Sequence, residues 1–425
     1  MRLVTTLRGL VPVMMVAASV WGVPASAAAG GHGGGGGGGH GRGDELAHHH
    51  GHDGGHDRRH DERRHDDRRQ DDHRHGEGEG EGGGGGEGGG SGGGEGGGGG
   101  GNQPDVACGD VAALISAITD ANNAGSGSIT LASNCVYSLT GPAVSPGTNG
   151  PDGLPVITGN VTLSGSDTTI TRASGTAFRI AEVAPGGTLD LYGITISNGS
   201  ATTGPAGLNG GGILDAGTLR LTSSAVTGNT ASNLGGGIEV ANNASLTLNS
   251  SQVNGNTAGD GGGVHINTGG SLTALGSQIS NNTAGSSGGG ISNFGSVNLT
   301  SVELRGNRAL NFEGGAITTS GGDFTMNSVI IDGNSSGSHG GGIANFGSQL
   351  LMQSVALTNN TAGGNGGGLY NASGTAQLIG DQVTGNTAGG GQGGGIFVDG
   401  GTVTLTGTTV SGNIPNDCVP GLPGC

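Results

Sequence analysis

Four histidines, His48, His52, His56 and His60, recur every four residues, and Asp53, Asp57 and Asp61 follow the last three. Imidazoles at that spacing share a helical face and could hold Zn²⁺, Ni²⁺ or Cu²⁺ between them. Gly51, Gly54 and Gly55 oppose a helix there. What remains open is loose metal binding without fixed geometry, beside the plainer role of a solvated polyampholyte spacer. No other cofactor is expected.

A second group, Glu303, Arg305, Arg308 and Glu313, has the residue types for acid–base work on a sugar chain. Polysaccharide lyases need acidic Ca²⁺ ligands beside a base, and hydrolases need close carboxyl pairs. Downstream of residue 103 there is no lysine, and the acids occur singly along the chain. The four residues are therefore expected to form surface ion pairs around one corner. His265 and His339 are expected at exposed strand edges. Asp260 sits beside glycines but lacks the repeated acidic pattern of a Ca²⁺-binding solenoid. Tyr137, Tyr192 and Tyr370 are too few and too scattered to predict a stacking platform, and Phe294 and Phe346 are expected to pack in the core or at a corner.

The elements that would position these groups follow from a repeat. Glycine-led apolar positions recur at Ile213, Ile238, Val264, Ile291, Ile317, Ile343, Leu369 and Ile396. An asparagine recurs at Asn229, Asn256, Asn282, Asn307, Asn334, Asn360, Asn386 and Asn413, always three residues after Val, Ile or Leu. Both marks keep a period of about 26 residues. Between them lie short alternating runs such as Leu246-Thr-Leu248, so each copy holds three short strands with one apolar face. Stacking the copies as coils buries all those faces at once, with neighbouring coils about 4.7–4.9 Å apart. A propeller needs four strands and about 40 residues per blade. The expected fold is all-β, a single-stranded right-handed parallel β-helix. The glycines allow a tight corner, and the stacked asparagines can hand amide hydrogen bonds from coil to coil.

The remaining segments cap or precede that rod. Residues 1–27 read as a signal peptide, with Arg2 and Arg8, a short apolar run and Ala25-Ser26-Ala27. Residues 28–103, rich in Gly, His, Asp and Arg, cannot bury enough surface to fold and are expected to be disordered. Residues 104–425 form the β-helix domain, with an N-terminal cap over 104–127 and a C-terminal cap over 414–425. Val111, Leu114, Ile115, Ile118 and Ala121 share a helical face, Asp110 can cap its start and Gly125 can stop it. The ends of a rod lie far apart, and a disulfide needs Cα atoms within about 7 Å. Cys108 is therefore expected to pair with Cys135, and Cys418 with Cys425.

Net charge is −17, and the 17 acids and 5 arginines after residue 103 leave that part at −12. Such a surface repels nucleic acid and anionic membranes, and no stretch is long and apolar enough to span a bilayer.

These motifs resemble the right-handed parallel β-helix proteins of bacterial surfaces that carry polymorphic outer membrane protein repeats. Their GGAI tetrapeptide stands at Gly314-Gly-Ala-Ile317 and recurs here as GGGI, while Val, Ile or Leu replaces the phenylalanine of their Phe-x-x-Asn motif. Cys108-Gly-Asp110 followed by Cys135-Val-Tyr137 resembles the start of such proteins. The resemblance implies the fold, which hosts adhesins, passengers and polysaccharide enzymes alike. The expected role is a non-catalytic secreted or cell-surface scaffold, adhesin-like and monomeric, with an unidentified surface or polysaccharide as ligand. The alternative is a polysaccharide lyase or glycoside hydrolase.

Overall fold

A computed structural model describes residues 103–145, 147–203 and 208–425. The expected signal peptide, the leader up to residue 102 and His48, His52, His56 and His60 lie outside the described residues.

Each coil begins at a glycine corner and runs through short strands on successive faces. In one coil, face A is Ile238–Val240, face B Ser245–Asn249 and face C Gln252–Asn254. A fourth face, D, carries two residues per coil, Thr257–Ala258 in this one. Reading three strands per repeat missed face D, because a Thr-Ala dipeptide is too short to show alternation. Ten strands stack on face A, from Ala181–Val183 to Cys418–Val419. All these strand pairings are parallel and in register, so Leu246 lies beside Leu219 on one side and Leu272 on the other.

Register follows from the period. A step of one coil returns each side chain to the same station, so apolar residues form files along the interior. Ile238, Leu246, Leu248 and Val253 of one coil are all buried, and each such side chain contributes roughly 1.5–3 kcal/mol on leaving water.

The interior also holds polar files. Each ladder asparagine from Asn229 to Asn386 donates its backbone N–H, at 2.8–3.1 Å, to the Oδ1 of the next coil's asparagine. The Nδ2 donates to the same oxygen and to a carbonyl of the preceding coil; for Asn307 these are Asn334 Oδ1 at 3.0 Å and Ile279 O at 2.8 Å. Polar groups at a buried bend are thereby satisfied. The ladder starts from the Gly199 N–H and ends on Asp417, whose Oδ1 accepts from both nitrogens of Asn413.

The helix Val111–Ala124 closes one end. Asp110 accepts from the Ala113 N–H at 2.9 Å, Gly125 adopts the left-handed conformation, and Leu114, Ile118 and Ala121 are buried against the first coils. Asn122 ties the helix down, donating to Val156 O and accepting from the N–H groups of Thr158 and Gly159. Disulfides join Cys108 to Cys135 and Cys418 to Cys425. No helix among the described residues is long and apolar enough to cross a membrane.

Candidate active site in a lateral groove

Face A has an unusual outer side. In a three-residue strand such as Ile238–Val240 the middle side chain points away from the interior, yet all three residues are buried. The loop before each glycine corner folds back over the strand. A Cβ on Gly261, for example, would stand 2.8 Å from the His265 Cβ. This loop forms one wall of a lateral groove, the loop after the strand forms the other, and the middle residues of face A form the floor.

Read along the floor, those residues are Glu182, Leu214, Glu239, His265, Ser292 and Thr318, then Ala344, Tyr370 and Phe397. The charged and titratable ones gather toward the end nearer the helix. His265 Nδ1 lies 3.2 Å from Glu239 Oε2, and its Nε2 lies 3.9 Å from Asp260 Oδ1 in the wall. Asn267 donates to the other Glu239 oxygen. Glu182 accepts from Asn149 Nδ2 at 2.7 Å. Beside it, Arg179 and Asp152 form an ion pair at 3.0 Å in which both side chains are buried. Burial pushes the Asp152 carboxyl well above the carboxylate range; Arg179 opposes the shift and the neighbouring Glu182 carboxyl adds to it.

A cleft of about 470 Å³ opens over these groups, lined among others by Asn149, Arg179, Asn209, Asn233, Glu239 and Asn267. Amides and one carboxylate converging on an open cleft can bind hydroxyl groups, and the neighbouring Asp, Glu and His can move protons. Among the described residues no group of three His, Cys, Asp or Glu side chains has the arrangement of a metal site. A larger hollow of about 640 Å³ at the corner of faces B and C is lined mainly by small polar residues and has a single acid, Asp167.

The structure redistributes the residues singled out by sequence. Of Glu303, Arg305, Arg308 and Glu313, only Glu303 and Arg305 form the expected surface ion pair. Arg305 pairs on face C with Glu303 at 3.0 Å and Asp332 at 2.6 Å, Arg308 stands exposed on face D, and Glu313 belongs to the groove wall. His265, expected at an exposed edge, is only 3% exposed, because the wall loop covers it. His339 stacks on Tyr370 with ring centroids 4.6 Å apart. Phe294 and Phe346, expected to be packed away, are 41% and 37% exposed. Acids that are isolated along the chain are brought together because Glu182 and Glu239 hold the same station two coils apart. A signal existed: the second residue after each glycine corner, read as a column, is uncharged in most coils but is Glu239 and then His265 in two neighbouring ones.

No family model matches the chain. No curated protein matches it. Among solved structures, the Azotobacter vinelandii mannuronan C-5 epimerase AlgE4 A-module aligns over 73% of this chain and 96% of its own length, at 13% identity and a TM-score of 0.31. At that level of likeness, any conclusion about function must come from this chain's own groove.

Proposed function

We propose that the face A groove binds a neutral polysaccharide and cleaves it by acid–base chemistry. The observation that carries this is a cluster of ionisable groups at one groove: Arg179 and Glu239 line the cleft, Glu182 and His265 hold floor stations beside them, and Asp152 and Asp260 back them, on a floor that is otherwise uncharged. Burying charge is costly and needs a reason. Leu214 separates Glu182 from Glu239 on the floor, so their backbones stand two strand spacings apart, roughly 9–10 Å. That leaves room for water between two carboxyl groups, as hydrolysis with inversion requires. In that reaction the Asp152–Glu182 pair protonates the leaving glycosidic oxygen. Glu239, steadied by Asn267 and His265, takes the proton from the attacking water. A groove this acidic disfavours a polyuronate, which supports a neutral substrate. The disulfides and the signal-peptide-like start support placement outside the cytoplasm.

The test is incubation of the purified protein with neutral glucans, xylans and mannans and with polyuronates, reading new reducing ends and unsaturated products. The expected result is reducing ends from a neutral polymer, lost in Glu239→Gln. Unsaturated products from a polyuronate would overturn hydrolysis in favour of elimination. No product from any polymer would leave the non-catalytic scaffold, which the unbroken asparagine ladder supports.

A further inference from the structure

The opposite half of the same groove has a different character. All nine Phe and Tyr residues of the chain lie among the described residues. Tyr137, Phe178 and Phe324 are buried in the interior, and Tyr192 is exposed at the hollow between faces B and C. The other five belong to the groove. Tyr370 and Phe397 continue the floor, stacked with centroids 5.9 Å apart. His339 covers Tyr370 from one wall, and Phe346 approaches it from the other at 6.0 Å. Phe294, 41% exposed, lies against His265 at 5.6 Å, and Phe312, 52% exposed, stands in the loop file of the His339 wall.

These side chains are oriented by polar contacts. The Tyr370 hydroxyl donates to Asp399 Oδ2 at 2.7 Å. His339 Nδ1 accepts from the Asn365 N–H at 2.9 Å, which leaves its proton on Nε2 as a donor. An aromatic cluster rimmed by a carboxylate and an imidazole N–H is suited to a ring with one apolar face and hydroxyl edges, which is a sugar. Water alone would not account for leaving Phe294, Phe312 and Phe346 exposed on one groove while the chain has so few aromatics.

We propose that Phe346, Tyr370 and Phe397 form a second subsite, which grips the same polysaccharide chain that the Glu239 station cleaves. This rests on the groove being a polysaccharide site. Five strand spacings separate Glu239 from Tyr370 on the floor, about 24 Å. Only a polymer spans both, so the subsite selects long chains over short ones and governs binding without touching the bond that breaks.

The probes are soluble starch, mixed-linkage β-glucan, xylan and galactomannan, each cast in a native gel and each supplied as polymer and as short oligosaccharide for turnover. With the polymer that retards the wild type, the Phe346→Ala/Phe397→Ala double variant should bind about five-fold or more weakly. Its KM for polymer should rise with kcat unchanged, and its turnover of oligosaccharides should match wild type. Phe346→Tyr should retain binding, and Glu239→Gln should keep retardation while losing cleavage. A double variant that binds and turns over polymer like the wild type overturns the subsite and leaves the cleavage site standing. If no glycan retards the wild type or is cleaved by it, both proposals fall.

Discussion

Glu239 and His265 occupy neighbouring rungs of the groove floor, and the imidazole Nδ1 lies 3.2 Å from the carboxylate with both side chains almost fully buried. Glu239 borders the cleft and also accepts from Asn267, while His265 is covered by the wall that carries Asp260. A pair held this way is pre-oriented before any ligand arrives. Removing His265 leaves Glu239 with Asn267 as its hydrogen-bond partner and an unopposed second oxygen.

His265→Gln should therefore lower the rate of glycan cleavage by on the order of 10²-fold or more while leaving polymer binding in native gels intact. Loss of binding to the same extent as loss of cleavage would show that His265 only shapes the groove.

Asn307 makes a different kind of contribution. Its Oδ1 accepts two hydrogen bonds from Asn282, and its Nδ2 donates to Asn334 and Ile279. Asn307→Ala orphans groups in two neighbouring coils, each worth about 1–3 kcal/mol. Urea denaturation should show a loss of several kcal/mol, on the order of two such groups. Asp417→Ala, at the open end of the ladder, should cost less. Equal losses at the two sites would contradict a cooperative ladder.

Asp215 makes stability depend on pH. Its side chain is fully buried, with one oxygen on the Gly217 N–H at 3.0 Å. Burial raises its pKa from 3.8 to about 7, against the pull of that hydrogen bond. The unfolded chain ionises near 3.8, so between about pH 4 and 7 the folded state holds a proton that the unfolded state has lost. Stability should fall as pH rises through that window and level off above it. Asp215→Asn should melt like the wild type near pH 4 and be stabilised by up to about 4 kcal/mol near pH 8. Parallel pH profiles for the two proteins would refute the assignment. Asp381, raised by burial to about 6, adds to the same slope.

The glycine corners should tolerate almost nothing. A Cβ on Gly289 would stand 2.3 Å from Gly315 O in the next coil and 2.4 Å from the Arg308 backbone nitrogen on face D of its own coil, both in fixed backbone. Gly289→Ala should cost several kcal/mol, about 3 or more, or prevent folding. Gly141→Ala, where a Cβ meets nothing within 4 Å and φ is ordinary, should change stability by less than about 0.5 kcal/mol.

Reduction should loosen the ends unequally. The Cys108–Cys135 bridge closes a loop of 27 residues and the Cys418–Cys425 bridge one of 7. Loop-closure entropy favours the former. Cys108→Ser/Cys135→Ser should therefore lower the melting temperature more than Cys418→Ser/Cys425→Ser, as calorimetry would show.

The sequence by itself determined the coil. Two marks with one period, at Ile238 and Asn256 and their counterparts, specify stacking because a constant step returns each residue to its own file. The cap at Asp110 and the stop at Gly125 are local, so the helix was legible too, and the disulfide pairing followed from the length of the rod. Face D was not legible, because two residues carry no period. The groove was not legible either. That Glu182, Glu239 and His265 share one enclosed file depends on how the loops before the glycine corners fold back over face A. Those contacts lie between residues of different coils, and a scan for neighbouring acids along the chain passes over them. Exposure decided the aromatics in the same way: Phe346 and Phe324 are the same residue type, but only the station in the coil sends one to the groove rim and the other to the core. Sequence period sets which side chains align, and tertiary enclosure sets which of those files becomes a site.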